Sequence, residues 1–309
     1  MATLKEKRTC GQRCEDFGHF VWNSDTKQFM GRTLERWVYI SLYYVAFYIV
    51  MSGLFILALY VMLLTLNPYT PTYQDQLTSP GVILRPDIWG EEGLEITYNA
   101  SDKKSWMRLT NILDKYLLHD KYCLLYISKS IPFYFIDYNE THQNESNQHC
   151  PSGSYYIQKD FRGPHHTKYA CIFTREMLGS CSGLEDPTYG YPEGKPCFLI
   201  KMNRIINFLP GKVGSPPYVK CTMLEGSHST LQDVDYYPVN GTFDISYFPY
   251  YGSLAQPNYT NPLVAVKFNR ITKNTEIKIE CKVVADHIRT DNFHDPYEGK
   301  VVFQLKIES

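Results

Sequence analysis

The sequence predicts a single transmembrane α-helix plus a mainly-β extracellular domain, a disulfide-bonded β-sandwich with one flanking helix. Three observations predict it. No residue from Trp37 to Gln74 is charged. From Cys150 onward the chain reads as short strands between Gly and Pro turns, the pattern of a sandwich. All five N-glycosylation sequons and the even set of six cysteines from Cys150 to Cys281 follow the apolar stretch.

Residues 1–36 are polar, mixed in charge and too few for a core of their own. Lys27, Arg32 and Arg36 precede the apolar segment, and the fifteen residues after it carry no Lys or Arg. This asymmetry places the N-terminal tail in the cytosol. Residues 37–66 are uncharged and mostly apolar, and a bilayer core of about 30 Å needs about 20 helical residues. The segment starts too late and runs too long for a cleaved signal peptide. It reads as a signal-anchor, which makes the chain a single-pass type II protein. The sequons Asn99, Asn139, Asn144, Asn240 and Asn258 then all lie outside the cell, where sugars are added. Cys150, Cys171, Cys181, Cys197, Cys221 and Cys281 lie in the same oxidising space, whereas Cys10 and Cys14 are cytosolic and Cys123 has no evident mate.

Residues 67–86 carry Pro68, Pro71, Pro80 and Pro86 and read as an extended stalk. The remaining residues, 87–309, form the ectodomain. Between Ser101 and His119 the spacing of Trp106, Leu109, Leu113, Tyr116 and Leu117 predicts a helix, with Ser101 or Asp102 as its cap. Leu118 to His149 joins an aromatic run to a polar one. It is too short and too charged to span a bilayer. Strands are predicted over Cys197 to Ile206, Phe243 to Phe248, Leu263 to Phe268, Thr275 to Val284 and Lys300 to Ile307. From Glu276 to Val283 polar and apolar residues alternate, as a strand with one wet face requires.

The formal net charge of -1 gives a nucleic-acid partner no electrostatic footing. There is no phosphate-cradling G-x-x-x-x-G-K-[ST], no H-E-x-x-H and no G-x-S-x-G, so the sequence offers no catalytic residue, metal site or cofactor. Gly179-Ser-Cys-Ser-Gly183 imitates a nucleophile elbow, but a cysteine in a disulfide has no thiolate. His165-His166 lies in a Pro/Gly loop and reads as a solvated turn. Six cysteines allow 15 pairings, and spacing alone does not choose among them.

Two groups of residues read as contact surfaces. Ser41, Tyr44, Tyr48 and Ser52 recur at spacings of 3 and 4 and so share one helix face. Tyr48 falls about 18 Å along the helix from Arg36, near the bilayer middle, where a hydroxyl seeks a polar partner. A second transmembrane helix from another protein fits that need. The run Tyr247-Phe248-Pro249-Tyr250-Tyr251-Gly252 contains a proline, which a strand interior excludes. By residue chemistry alone its rings serve equally as core or as binding patch.

At these residues the sequence resembles the β subunits of the potassium-exchanging P-type ATPases, over nearly the whole chain. The shared segments are Gly31-Arg32-Thr33, Tyr73-Gln74-Asp75-Gln76-Leu77, Cys181-Ser182-Gly183, Gly194-Lys195-Pro196-Cys197, Lys201-Met202-Asn203-Arg204, Tyr247 to Gly252, and Pro262-Leu263-Val264-Ala265. Gly81 to Asp87 and His294 to Lys300 resemble the gastric H+/K+ branch most, while Phe20 to Asn23 and Gln28 to Thr33 look closer to the β2 subunits of the Na+/K+ branch. The resemblance implies an immunoglobulin-like β-sandwich with three disulfides, Cys150–Cys171, Cys181–Cys197 and Cys221–Cys281. It also implies a partner, the catalytic α subunit of an H+/K+- or Na+/K+-ATPase, in contact with Tyr44, Tyr48, Ser52 and the segment Tyr247 to Gly252. In that reading the chain is a non-catalytic subunit at the plasma membrane (the apical membrane if gastric-type). It assists folding and delivery of α and modulates K+ affinity. A type II adhesion glycoprotein and an ectoenzyme are the rival classes. Leu118 to His149 is longer than the family pattern. Phe20 stands where the gastric branch has a tyrosine in its proposed internalisation signal, and His165 and Ser180 stand where it places sequon asparagines.

Overall fold

A computed structural model describes residues 17–24, 26–67, 69–75, 77–91, 93–118, 143, 147–158, 167–225 and 233–309. Asn139, Asn144, Cys10, Cys14, Cys123, His165, His166 and nearly all of the stretch from Leu118 to His149 therefore lie outside the described residues. The chain divides into two compact units, Met1–Asn67 and Pro68–Ser309.

In the first unit a helical turn at 17–21 leads into three two-residue strands, β1 (Trp22–Asn23), β2 (Gln28–Phe29) and β3 (Arg32–Thr33), paired antiparallel in that order. Helix α1 (Leu34–Leu64, 31 residues) follows without a linker. At 1.5 Å per residue it is about 46 Å long, and it is the one helix among the described residues long and apolar enough to cross a membrane. It starts before Trp37 because Leu34, Glu35 and Arg36 are all compatible with helix; charge, not backbone preference, sets the sequence boundary. None of its residues is buried.

The second unit is built on two four-stranded sheets. One has the order β5 (Leu94–Asn99), β11 (Lys300–Glu308), β10 (Glu276–Val284), β7 (Tyr218–Glu225), with β11 parallel to β5 and the other pairs antiparallel. The other has the order β4 (Val82–Arg85), β6 (Cys197–Met202), β9 (Leu263–Phe268), β8 (Val234–Tyr237), antiparallel throughout. Period-2 patterning sets which side chains turn inward. Val301, Phe303, Leu305 and Ile307 of β11 are buried, as are Ile277, Ile279, Cys281 and Val283 of β10. The sheets meet at an aromatic cluster. Phe198 of β6 lies 5.6 Å from Phe268 of β9 and 5.2 Å from Phe303 of β11, ring centre to ring centre. Glu280 breaks the alternation by being buried on the polar face of β10, where Lys282 and Lys300 hold it at 2.8 and 3.7 Å.

Helix α2 (Lys103–Leu118) buries Trp106, Leu109, Leu113 and Leu117 in the same core. Asp102 is its cap: its carboxylate accepts the Lys104 N–H at 3.0 Å, satisfying one of the free donors of the first turn. Tyr116 is only half-buried. Arg85 of β4 and Lys201 of β6 stand over its ring at 5.6 and 5.8 Å. With one face toward the sandwich interior and the other covered, all six residues of β6 are buried.

The structure joins Cys150 to Cys171, Cys181 to Cys197 and Cys221 to Cys281. The first ties the coil at 147–158 to the segment beside Ser246, and the second ties the 3-10 segment Arg175–Cys181 to the start of β6. The third staples β7 to β10 at directly opposed positions. One long apolar helix among the described residues and a second unit of two β-sheets with three disulfides thus match the predicted fold class.

Several predicted elements differ. Phe243 to Phe248 is not a strand: Asp244 accepts the Ser246 N–H at 2.9 Å and caps a 3-10 turn, Ile245–Tyr247. Apolar and polar residues alternate from Phe243 to Tyr247 as in a strand, but the Asp244 side chain takes the Ser246 N–H that a strand neighbour would need. The strand predicted to reach Ile206 ends at Met202, whose carbonyl is taken by the Asn261 side chain at 2.6 Å. Strand β4 falls within the segment predicted as stalk, with Val82 and Leu84 buried against β6. Strands β5, β7 and β8 were not predicted.

Candidate interaction surfaces

The first surface lies on α1. Tyr44 and Tyr48 stack one turn apart, with ring centroids 6.2 Å apart and planes at 28°. Ser41 and Ser52 continue that face one turn before and one turn after. All four are exposed in the chain alone.

The second is the aromatic run. Its rings point mostly inward. Tyr247 and Phe248 belong to the main core, and Tyr250 packs with Ala170 and Tyr259 in a smaller cluster. Pro249 and Gly252 are buried too, and Tyr251 alone is half-buried. The Tyr247 hydroxyl donates to the Ile172 carbonyl at 2.7 Å, and burial pushes its pKa far above the usual phenol value. Tyr250 and Tyr259 lie 4.6 Å apart, with the Arg204 guanidinium 5.7 Å from each ring. The Tyr251 hydroxyl accepts the Gln158 N–H at 2.9 Å, and Lys168 sits 5.4 Å over its ring. Gly252 adopts a left-handed φ of +91° and packs close to Tyr69 and Ile206, so a side chain there is strained.

The run passes between two clefts. Tyr247 borders one of about 610 Å³ together with Asp244, Phe173 and the Cys150–Cys171 bridge. Tyr250 and Gly252 border another of about 380 Å³, whose other walls include Lys201, Asn203, Arg204 and Asn261. Sequence reasoning had marked Lys201 to Arg204 only as a family segment. Its proximity to the aromatic run arises because Arg204 lies just past the end of β6, which no local pattern reveals.

Two aspartates without a sequence signal anchor loops of the domain, Asp244 at the wall of the larger cleft and Asp186 in the turn before β6. Burial raises the Asp244 pKa, but hydrogen bonds from the Ser152 hydroxyl and the Ser246 and Gly153 N–H groups outweigh it and hold the carboxyl below its usual value. Burial likewise opposes ionisation of Asp186, and donors from Thr188 and Gly190 overcome it. A carboxylate with a depressed folded-state pKa contributes stability that is complete above the unfolded value of about 4 and is lost below it. Asp244→Asn should therefore be less stable than the parent at neutral pH, and the gap should narrow at pH 3. Melting temperatures across that range check this, and a gap that widens in acid refutes it.

The elbow-like loop carries no free thiol. Cys181 of the elbow-like loop is fully buried and bonded to Cys197, and the buried Arg175 guanidinium fixes that loop through the Ser182 carbonyl at 2.7 and 3.1 Å. Among the described residues no group of three His, Cys, Asp or Glu side chains could hold a metal. Of the sequon asparagines described, Asn240 and Asn258 are exposed. Asn99 is half-buried, and its side chain accepts the Ser101 N–H at 2.9 Å.

Fold and surfaces together define a class: a protein with, among the described residues, one candidate membrane span near its N-terminus and a disulfide-bonded β-sheet domain after it. The chain belongs to the sodium/potassium ATPase beta chain family, which matches residues 7–125 and 124–303. It is 54% identical to the potassium-transporting ATPase subunit beta of Oryctolagus cuniculus and to that of Homo sapiens, over the full length of both chains. Its identity to the sodium/potassium-transporting ATPase subunit beta-2 of Ochotona curzoniae is 41%, over 99% of each chain.

Proposed function

We propose that this chain is the non-catalytic β subunit of a potassium-transporting P-type ATPase, on the H+/K+-exchanging side of the family. The observation that carries the reading is the full-length identity of 54% to potassium-transporting subunits against 41% to a sodium/potassium-transporting one. In this reading α1 spans the plasma membrane with residues 1–36 in the cytosol. The β domain lies outside, with sugars at Asn99, Asn139, Asn144, Asn240 and Asn258. The partner is a catalytic α subunit, met by Tyr44, Tyr48 and Ser52 in the membrane and by the segment Tyr247 to Gly252 outside it. One helix cannot enclose an ion path, so transport and ATP hydrolysis belong to the partner. A subunit that binds folded α and not unfolded α stabilises it during assembly. If it binds one transport state more tightly, it shifts K+ affinity by that difference and no more.

Purification in mild detergent tests this. A stoichiometric α chain identified by mass spectrometry supports the reading, and a chain recovered alone, as an adhesion glycoprotein would be, overturns it. Replacing Tyr44 and Tyr48 together with Leu should weaken the association. Interhelical hydrogen bonds in membranes contribute about 0.6–2 kcal/mol each, so losing two predicts a roughly ten-fold or larger drop in retained α. Unchanged recovery of α with the double variant would remove the tyrosine face from the interface.

A further inference from the structure

The first unit exposes apolar side chains that nothing in it covers. Phe17, Phe20, Trp22, Phe29, Met30 and Leu34 are between 44% and 78% exposed. None of the described residues from 17 to 67 is buried. Three strands of two residues each, with no core, do not hold themselves together in water. Yet this segment is knitted. The Met30 N–H donates to the Val21 carbonyl at 3.0 Å, the Phe20 ring lies against Gly31, and Trp37 donates its indole N–H to the Phe29 carbonyl at 2.8 Å. The Phe29 ring and the Arg32 guanidinium each stand 6.0 Å from the Trp37 ring.

The last of these contacts fixes the location. Trp37 belongs to the first turn of α1, and β3 ends at Thr33 with α1 starting at Leu34. If α1 spans a bilayer, the sheet has no linker with which to leave its surface. We infer that residues 17–33 form an interfacial wedge, its aromatic side chains inserted among the lipid headgroups of the leaflet that α1 enters. This rests on the spanning orientation proposed above. The occupant is a lipid surface because the exposed groups are Trp22, which favours the membrane–water boundary, with Phe and Leu side chains of the kind that interfacial segments bury at the headgroup–acyl boundary, and because the surface continues directly into the span. Lys27, Arg32 and Arg36 suit an anionic leaflet, but Asp25 and Glu35 offset two of them, so apolar insertion dominates over charge.

The test uses the full chain with its co-purified partner, and separately without it, in nanodiscs of phosphatidylcholine and phosphatidylserine. Some of the lipid carries bromine at shallow or at deep positions along the acyl chain. The sequence has four tryptophans, so the difference between the parent and Trp22→Phe isolates Trp22, and Trp37→Phe isolates Trp37. The expected result is loss of most Trp22 emission with shallow bromine, less with deep bromine, and little with aqueous acrylamide, with or without the partner. Trp37 quenched by bromolipid while Trp22 answers only to acrylamide overturns the wedge and leaves the span standing. Trp22 shielded from both quenchers only in the complex overturns it in favour of a protein contact. Neither tryptophan quenched by bromolipid means that α1 does not span, and the orientation falls with the wedge.

Discussion

Replacing Cys221 and Cys281 together with alanine is expected to lower the melting temperature of the folded chain by roughly 10 °C, the largest effect of removing any of its bridges. The reason is topological. β7 is an edge strand of its sheet, paired there with β10 among the described residues, and the bridge joins the two strands at opposed positions across a sequence separation of 60. In the chain-entropy model a loop of that length restrains the unfolded state by about 4 kcal/mol. The Cys181–Cys197 bridge has a separation of 16 and restrains it by about 3 kcal/mol. A whole domain is stable by only about 5–15 kcal/mol, so either loss should also reduce the amount of chain that matures. Circular dichroism melts of the two double-alanine variants, in detergent and without reductant, check the ranking. A Cys181/Cys197 variant melting below the Cys221/Cys281 variant would show that local packing, not loop closure, sets the contribution of each bridge.

Elements with a strong local signal were legible. The charge gap gave α1, the helical spacing of Trp106, Leu109 and Leu113 gave α2 with Ser101 or Asp102 as its cap, and continuous or alternating apolar runs gave β9, β10 and β11. Elements defined by distant partners were not. β5 alternates in burial, but it pairs parallel with β11, Leu94 opposite Phe303, and nothing near residue 94 encodes a partner two hundred positions away. β7 and β8 end beside residues 226–232, where turn signals are diffuse. The two-residue strands of the first unit are too short to carry any period. For the disulfides, local chemistry supplied the even count of cysteines, and resemblance supplied the pairing seen in the structure. The aromatic run was ambiguous for a physical reason. Six consecutive residues without a polar alternate define no face, and only the surrounding fold decides which rings point inward.

That ambiguity yields the second large prediction, because the run contains both kinds of residue. Tyr247 is core. It is 8% exposed, its ring lies 5.9 Å from Phe173 edge-on, and its hydroxyl is spent on the Ile172 carbonyl. Truncating a buried aromatic ring to alanine costs about 3–5 kcal/mol, so Tyr247→Ala should lower the melting temperature steeply and reduce recovered α only in proportion to folded β. Tyr247→Phe keeps the packing and loses one hydrogen bond, at about 1 kcal/mol. Tyr251 differs. It is half-buried, anchored by Gln158 and Lys168, and it is the ring of the run that a partner can reach without unpacking the domain. Tyr251→Ala should leave the melting temperature nearly unchanged and lower the fraction of α retained per folded β chain. The two readouts separate the roles. If Tyr251→Ala retains α in full, the extracellular contact lies elsewhere on the domain. If Tyr247→Ala melts like the parent, the inward packing of the run is wrong, and its rings are free to serve as the contact themselves.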